Sequence, residues 1–402
     1  MIDWVVDTAL AAKPDDVRIV LSPAQTKIAE RFRGRAKPVY QAEQKGTGHA
    51  LAQVPRAALA AGDVLVLNGD GPLLRPESLV KLVKAHRKSG APATIASVVD
   101  PTRRDGLIVR RPDRSLDRVV ELKHALRPAD AGDPEFNVGL YCFQGRELVK
   151  ALGKVRPDKR SGELFLTDAL SLMNPVRILR LDDAEEAVAI NDRVQLARAS
   201  AAMRRRILEV HMLAGVTITD PATTFIDAGV MIGRDTVIEP FSVIKGTTKI
   251  GQDCKIGPHV YIEDATIGDR SDCGPFAKLR PGTEIGPDVH IGSFAELVRT
   301  RVGRGSRVPH VSYLGDTDLG EDANIGAGTI TANFDGTRKN RTQIGDGAFV
   351  GVDTMLVAPV KLGVGSRTGA GSVVTKDVPD GATAVGVPAR VVRRRTVDSE
   401  AK

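Results

Sequence analysis

The sequence is poor in aromatic residues and in cysteine, and each shortage argues against a class of protein. Only 4% of the 402 residues are Phe, Trp or Tyr, whereas surfaces that stack on nucleic-acid bases are built from such rings. The three cysteines, Cys142, Cys254 and Cys273, have no paired spacing, which argues against a disulfide framework and a cysteine-based zinc site. We therefore expect neither a nucleic-acid partner nor a disulfide-stabilised secreted fold.

The sequence also lacks a long apolar run and a secretory leader. No stretch approaches the roughly 18 consecutive apolar residues that identify a membrane-spanning helix, so we expect no membrane insertion. Asp3 and Asp7 lie where a secretory signal would be basic and then apolar, which predicts a cytoplasmic protein. The net charge of +7 is a mild basic excess that suits anionic small molecules.

The 40 glycines gather in the second half of the chain, where an apolar residue recurs every six positions. Six isoleucines follow this period without a slip: Ile232, Ile238, Ile244, Ile250, Ile256 and Ile262. The period returns after breaks, for example from Val350 to Val374. A six-residue period is typical of one flat side of a three-sided parallel β-coil, whereas the strands of a sandwich recur about every 8–12 residues. We predict a left-handed parallel β-helix over residues 215–390, followed by a basic tail at 391–402.

Residues 1–190 instead alternate between apolar strand patterns and helical patterns, which predicts an α/β domain of the nucleotide-binding type with a mostly parallel sheet. The predicted strands are 17–21, 63–68, 93–99, 138–143 and 176–181, and the predicted helices are 76–90 and 161–174. The second helix pattern opens with a serine that predicts a cap. Residues 191–214 have helical composition and are predicted to form an arm that links the two domains.

Four features of the sequence are candidates for chemistry. The segment GTGHA at 46–50 could direct backbone N–H groups at an anion or a base edge, although a plain turn explains it as well. Asp70 follows a predicted strand, where it suits Mg²⁺ on a polyphosphate or satisfies its own turn. Asn191 is either a helix cap or a second oxygen ligand. His310 lies in a stretch that interrupts the six-residue period, as expected of a loop that leaves the coil, and is either structural or a functional side chain.

Taken together, several motifs resemble one family. In the first domain they are QAEQKGTGHALAQ (41–53), LNGDGPLL (67–74), VVELKHA (119–125), EFNVGLYCF (135–143), GELFLTDAL (162–170) and INDRVQL (190–196). In the coil they are CGPFAKLRPG (273–282), VPHVSYLGD (308–316), NIGAGTITANFDG (324–336) and DTMLVAPV (353–360). Over nearly the whole chain the sequence is similar to the bifunctional N-acetylglucosamine-1-phosphate uridylyltransferase / glucosamine-1-phosphate N-acetyltransferase family.

The resemblance implies roles for residues of the first domain. The uracil would be contacted by Gln41, Gly46 and Thr47, the nucleotide and metal by Asn68, Gly69 and Asp70, and the sugar by Gly106, Glu121 and Asn137. Asn191 would complete the Mg²⁺ site beside Asp70. The implied reaction is attack of the sugar 1-phosphate on the α-phosphorus of UTP with loss of pyrophosphate, a step that depends on positioning and charge neutralisation.

In the coil, the resemblance implies that His310 is the base that takes a proton from the glucosamine 2-amino group as that group attacks the thioester of acetyl-CoA. The sugar phosphate would be held by Arg280, Tyr313 and Asn324, and the acetyl-CoA site would include Ala327, Asn333, Phe334 and Ala370. Lys339 is a candidate second phosphate contact or a solvated loop lysine. The family also implies a homotrimer formed through the coil.

The sequence departs from the family at several points. The opening strand and Gly-rich loop of the family, with the lysine after them, are not in the text, so we expect little uridylyltransferase activity from these residues. Val298 replaces a phosphate-binding lysine, Val352 a serine and Phe334 a tyrosine, and Arg299 would point away from the site if its segment were extended. Three functions therefore stay open: a bifunctional enzyme, an acetyltransferase with an inactive first domain, and a non-catalytic trimeric assembly or binding module.

Overall fold

The structure, a computed structural model, describes residues 1–100, 106–120, 134–159 and 161–394. The chain divides into two compact units, Met1–Ala202 and Met203–Lys402. Within the described ranges, every helix is too short or too polar to cross a membrane.

The described residues form eight α-helices: α1 Ile2–Ala11, α2 Thr26–Arg31, α3 Thr47–Ala52, α4 Arg56–Leu59, α5 Pro76–Ser89, α6 Gly145–Leu152, α7 Leu166–Ser171 and α8 Arg193–Leu213. The predicted helix at 76–90 is confirmed as α5. The helix predicted at 161–174 is shorter, because Gly162 has φ of +75° and the Ser161 N–H donates to Asp158 Oδ1 at 2.8 Å in a turn. Ser161 therefore does not cap α7, which begins after Phe165.

The first unit contains eight described strands: β1 Arg18–Leu21, β2 Lys37–Tyr40, β3 Asp63–Leu67, β4 Ala93–Val99, β5 Leu107–Arg110, β6 Leu116–Val120, β7 Glu135–Gln144 and β8 Val176–Arg180. All five predicted strands are confirmed. The predicted mostly parallel sheet is wrong, because β7 runs antiparallel to β3, β4 and β5, and only β8 is parallel to β4 in this sheet. A buried apolar strand has the same pattern in either direction, so its direction depends on connections that the pattern does not report.

A second, separate sheet consists of β1 and β2, which pair in parallel. Among the described strands, β3 pairs with β7 alone. The large sheet and the small sheet are therefore not hydrogen-bonded to each other.

Helices cover both faces of the large sheet. Along β7, Leu140 and Cys142 face one side, where they cluster with Leu82 of α5. Tyr141 and Phe143 face the other side, where they cluster with residues of α6 and α7. Because successive strand residues point to opposite faces, a continuous apolar run such as β7 has both faces buried, as expected of a covered sheet.

The second unit is a coil of short strands. They are β9 Thr217–Ile218, β10 Phe225–Ile226, β11 Met231–Ile232, β12 Val237–Ile238, β13 Val243–Lys245, β14 Lys249–Ile250, β15 Lys255–Ile256, β16 Tyr261–Glu263, β17 Thr266–Ile267, β18 Asp272–Cys273, β19 Lys278–Leu279, β20 Glu284–Ile285, β21 His290–Val298, β22 Arg301–Val302, β23 Arg307–Gly315, β24 Thr317–Leu319, β25 Asn324–Ile325, β26 Ile330–Ala332, β27 Thr342–Ile344, β28 Phe349–Val350, β29 Met355–Val357, β30 Val360–Leu362, β31 Arg367–Thr368, β32 Val373–Val374, β33 Ala382–Gly386 and β34 Ala389–Arg394.

The strand pairing confirms the parallel β-helix. Ile238 lies beside Ile256, and Ile244 beside Ile262, in parallel strands, so every third strand returns to the same flat side. These four isoleucines are fully buried and belong to one continuous core. The six-residue period thus reports inward-facing side chains that stack from one coil to the next.

The position of His310 differs from the prediction. It does not lie in a loop that leaves the coil but within β23, whose residues pair in parallel with β21 from Arg307 to Gly315. The six-residue period in fact continues past His310, because Val308 and Leu314 are both fully buried and lie beside Ile291 and Leu297 of β21. The segment that leaves the coil lies later, between β26 and β27, where an antiparallel bridge joins Phe334 to Lys339. We call this segment the excursion. The coil resumes in β27, where Ile344 lies beside Leu319.

Candidate functional site

A cavity of about 300 Å³ in the first unit collects residues from several elements. Six predicted site residues line it: Thr47, Asn68, Asp70, Gly106, Asn137 and Asn191. They come from the start of α3, the end of β3, the approach to β5, the middle of β7 and the approach to α8. The cavity lies at the end of β3, where open α/β sheets bind their ligands.

Asp70 and Asn191, the two predicted metal ligands, both line this cavity although they are distant in sequence. The Ile190 N–H donates to the Asp70 carbonyl oxygen at 3.1 Å. One carboxylate oxygen of Asp70, Oδ1, is buried and has no hydrogen-bond partner among the described residues. A buried carboxylate oxygen without a partner is costly unless a ligand satisfies it.

Asn191 is not the cap of α8. The cap is Asp192, whose Oδ1 accepts from the Gln195 N–H at 2.7 Å. Gln195 Oε1 in turn accepts from the backbone N–H groups of Asn191 and Asp192, at 2.6 and 3.2 Å. This reciprocal pair is a capping box. The helix-cap alternative for Asn191 is therefore wrong, and its side chain is not needed at the helix end.

The donor set fits Mg²⁺. A carboxylate and an amide oxygen are hard ligands, and Mg²⁺ retains several waters or substrate oxygens beside one or two protein ligands. Within the described ranges, no cluster of three or more His, Cys, Asp or Glu residues occurs. Asp70 and Asn191 would thus hold the ion together with phosphate oxygens and water, rather than in a cage made only of protein groups.

Asn137 is fixed on the cavity wall. It is 9% exposed, its Nδ2 donates to the Tyr141 hydroxyl at 2.7 Å, and its Oδ1 accepts from the Gly139 N–H at 3.1 Å. Its own N–H donates to the Gly106 carbonyl at 2.8 Å. Because Gly106 has φ of +75°, a conformation that favours glycine, the two predicted sugar contacts are held together by backbone geometry.

Sequence reasoning missed Gly139 and Tyr141, which also line the cavity. Gly139 has φ of +80°, and a Cβ there would lie 2.4 Å from Asn68 Nδ2. The signal was present in the sequence, since a glycine inside an apolar strand marks a close approach.

Thr47 and Gly46 join α3 to the segment before α7. The Thr47 hydroxyl accepts from the Leu166 N–H at 3.0 Å, and the Gly48 N–H donates to the Leu164 carbonyl at 2.7 Å. A Cβ at Gly46 would lie 2.6 Å from the same carbonyl oxygen. The glycines of this motif therefore permit the close approach of two backbones.

The remaining predicted residues of this unit lie elsewhere. The Gln41 side chain donates to the Gly46 carbonyl at 3.3 Å and lies 2.9 Å from His49 Nδ1. Of the described residues that line the cavity, none is Gln41, Gly46 or Gly69; Gly69 faces Ile2 of α1. Glu121 lies outside the described residues.

In the coil, His310 is exposed at a corner that also carries three other residues considered in the sequence analysis. The Gly328 N–H donates to the Val311 carbonyl, the Asp353 N–H to the Ala327 carbonyl and the Gly371 N–H to the Val352 carbonyl, at 2.7–2.8 Å. The register of the neighbouring strands, with Arg307 beside Asn324, Asn324 beside Phe349 and Met355 beside Val373, aligns four residues on one corner of successive coils. They are His310, Ala327, Val352 and Ala370. We call this set the corner column.

The predicted sugar-phosphate residues lie on the two sides that meet at His310. Tyr313 lies on one side, in register with Glu296, and Arg280 Nη1 donates to Glu296 Oε1 at 2.9 Å. Asn324 lies on the other side, in register with Arg307. Arg280 thus already has a carboxylate partner.

The condition under which Arg299 would point away from the site, an extended segment, is not met. Arg299 has φ of +49°, so the segment is not extended, and its guanidinium donates twice to Asp316, at 2.6 and 2.8 Å. Asn333 Nδ2 donates to the same carboxylate at 2.6 Å. The paired Arg299 guanidinium lowers the pKa of Asp316. Val298, beside it, is buried at 3% exposure.

Phe334 follows Asn333 and is exposed, in the excursion that also carries Lys339. The structure therefore places the predicted acetyl-CoA residues in two groups, the corner column and this excursion.

Two family models match this chain, one in each unit. The model of the MobA-like NTP transferase domain matches residues 1–168, and that of six bacterial transferase hexapeptide repeats matches residues 229–264. Both models are named for transferases.

Curated relatives match over nearly the full length. The "Bifunctional protein GlmU" of Rubrobacter xylanophilus is 43% identical over 98% of this chain and 88% of the relative. The "Bifunctional protein GlmU" of Koribacter versatilis is 40% identical over 98% of this chain and 89% of the relative. A solved structure of a UDP-N-acetylglucosamine acyltransferase is 20% identical, covers 44% of this chain and 73% of that chain, and has a TM-score of 0.38, too weak a likeness to carry an argument. On the strength of the curated relatives, the chain belongs to the family of bifunctional GlmU proteins.

Proposed function

We propose that the chain carries out two transfers in the biosynthesis of UDP-N-acetylglucosamine. The coil transfers acetyl from acetyl-CoA to glucosamine 1-phosphate, and the first unit transfers uridylyl from UTP to N-acetylglucosamine 1-phosphate. Membership of the bifunctional family supports both activities. The observation that carries the proposal for the first unit is the cavity that collects six of the residues implied by the family resemblance.

In the first unit, a sugar-phosphate oxygen attacks the α-phosphorus of UTP, and the bond to pyrophosphate breaks. No covalent nucleophile is required, so the residues act by holding the reactants in line. Asp70 and Asn191 would hold Mg²⁺, which neutralises phosphate charge when bound. Asn137 and Gly106 form the wall proposed to bind the sugar, and the α3 start with Thr47 forms the wall proposed for the uracil, with Gln41 and Gly46 supporting it.

The test for this unit is Mg²⁺-dependent release of pyrophosphate from UTP and N-acetylglucosamine 1-phosphate. Asp70→Ala should abolish the release, whereas Asp15→Ala, at an exposed carboxylate outside the cavity, should not. Release that is insensitive to Asp70→Ala would contradict the proposal.

In the coil, the glucosamine nitrogen attacks the thioester carbonyl, His310 accepts the ammonium proton, and the thiolate of CoA leaves. Imidazole side chains accept protons at neutral pH, which suits this role. The support is the corner column, which stacks His310 with Ala327 and Ala370 along one edge. Arg280, Tyr313 and Asn324 are proposed to hold the sugar phosphate, and Asn333 and Phe334 to complete the acetyl-CoA site.

The test is release of free thiol from acetyl-CoA in the presence of glucosamine 1-phosphate. Removing a positioned base should slow turnover of His310→Ala by about 10²–10⁴-fold. His259→Ala removes an exposed histidine that stacks between Phe241 and Phe276, and it serves as the matched control. Equal turnover in all three proteins would remove His310 from the mechanism, and absence of thiol release would favour a non-catalytic module.

We also propose a cytoplasmic homotrimer. Hexapeptide repeats suggest oligomers, and the family resemblance specifies three copies. Light scattering at micromolar protein should give three chain masses; a monomer would contradict the assembly. Cell fractionation tests the compartment.

A further inference from the structure

The strap that carries Asn191 is held against the Asp70 segment by a buried carboxylate. Residues 183–191, which we call the strap, begin with a 3-10 turn at Ala184–Ala187 and end at Asn191. Within this turn Glu186 is 3% exposed. A carboxylate is almost never this deeply buried without partners, so its contacts show what it does.

Both oxygens of Glu186 bind the start of α5. Oε2 accepts from the Arg75 N–H at 2.9 Å, and Oε1 accepts from the Ser78 hydroxyl at 2.8 Å. Arg75 is the N-cap residue of α5 and makes no capping bond with its own side chain. Glu186 thus supplies the cap from a distant part of the chain, where the helix dipole also favours a negative charge.

The strap has a second attachment at its other end, where the Ile190 N–H donates to the Asp70 carbonyl. Between the two attachments, Ala187 and Ala189 line the cavity. On the facing segment, Asp70 and Leu74 line it as well. Asp183 of the strap also accepts from the Arg75 guanidinium at 2.7 Å, in a partly exposed ion pair. The cavity wall that contains both proposed metal ligands therefore consists of two joined segments, and the buried contact at the start of α5 is the Glu186 carboxylate.

We propose that Glu186 is a positioning residue for the divalent cation, fixing the distance between the oxygens of Asp70 and Asn191. The inference rests on the metal site of the proposed function and assigns to this site a residue that does not touch the ion. Mg²⁺ demands near-ideal octahedral geometry, so a ligand pair is useful only if its spacing is held. Loss of groups that orient metal ligands costs about 10–100-fold in metal affinity.

The experiment is a titration of the full chain with Mn²⁺ alone, followed by electron paramagnetic resonance of the free ion. Glu186→Ala removes both bonds and should weaken binding about 10-fold or more. Glu186→Gln should remain within about threefold of the wild type, because its amide oxygen accepts from Arg75 and its amide N–H donates to Ser78. Ser78→Ala removes only the hydrogen bond to Oε1 and leaves the bond from the Arg75 N–H to Oε2. It should therefore weaken Mn²⁺ binding less than Glu186→Ala but more than Glu186→Gln.

A general loss of stability could also weaken metal binding, and Leu148→Ala is the control for that effect. It creates a cavity beside α6, on the opposite face of the sheet. Measured at a temperature at which every variant is folded, Leu148→Ala should bind Mn²⁺ like the wild type. Wild-type affinity in both Glu186→Ala and Ser78→Ala would overturn the inference while leaving the metal site intact. Equal losses in Glu186→Gln and Glu186→Ala would also overturn it, since charge rather than position would then matter. If Asp70→Ala does not change Mn²⁺ affinity, the proposed metal site itself is wrong, and the inference falls with it.

Discussion

A buried histidine in the first unit makes its stability depend on pH. His86 is 1% exposed; its Nδ1 lies 3.0 Å from the Thr94 hydroxyl, and its Nε2 lies 3.8 Å from Asp63. Burial lowers the pKa of His86, and this outweighs the opposing effect of Asp63. The neighbouring Arg87 lowers the pKa further. The folded state thus keeps the imidazole neutral where the unfolded chain, with a pKa of about 6.5, binds a proton.

We therefore expect the first unit to lose stability as the pH falls below about 6.5. The unfolded state gains a proton there while the folded state does not, so the contribution of His86 is present above that pH and declines below it. The measurement is the urea midpoint of the first unit at pH 7.5 and 5.5. His86→Gln should show a smaller decline than the wild type; equal declines would assign the pH dependence to other groups of the first unit.

Two arginines near the proposed sugar-phosphate site, Arg280 and Arg299, are already paired with carboxylates. Arg280 is paired with Glu296, and Arg299 is paired with Asp316, so each positive charge has a carboxylate beside it. Val298→Lys should therefore lower the KM for glucosamine 1-phosphate by about tenfold, as a new charge-assisted contact would. Because Val298 is buried, the lysine stem would lie in its place and the ammonium would reach the surface. Val298→Met is the control of similar length without charge; an equal effect of both changes would rule out the charge.

At the scale of the elements, β7 depends on one glycine. Gly139→Ala would place a Cβ 2.4 Å from Asn68 Nδ2 at φ of +80°, and such strain costs about 1–3 kcal/mol. We expect a lower urea midpoint for the first unit and weaker UDP-N-acetylglucosamine binding by calorimetry, because Asn68 must move. Gly62→Ala, where nothing lies within 4 Å of the added Cβ, should leave both unchanged. Wild-type binding in Gly139→Ala would show that Asn68 is not a ligand.

The elements differ in how far the sequence predicts them. The inward residues of the coil, such as Ile238 and Ile256, follow from a period that has one structural solution. Strand direction in the first unit does not follow, because β7 would have the same apolar pattern whichever way it ran. The proximity of Asp70 and Asn191 was implied by the family resemblance alone, and the Glu186 contact with α5 was not predicted, because a hydrogen bond between distant segments leaves no periodic signal.

At the scale of the whole molecule, the two units should unfold separately, with the coil the more stable. The coil continues its parallel ladder and one apolar core through successive turns. In the first unit, the β1–β2 pair is not hydrogen-bonded to the large sheet, and unpaired strand edges are a liability.

Calorimetry of the full chain should show two transitions. Leu148→Ala should lower only the first, and Ile256→Val only the second, because each removes buried volume from one core. A single transition that both changes lower together would contradict independent unfolding.

The length of the corner column is set by the number of coil turns that it spans. Each turn adds one residue to the edge, and neighbouring strands in a sheet are about 4.8 Å apart, so three steps from His310 to Ala370 measure about 14 Å. For a ligand that lies along this edge, the number of turns, and not the shape of a pocket, determines the ligand length that fits. Insertion or deletion of a whole turn would change that length in one fixed increment while leaving the packing within every other turn as it was.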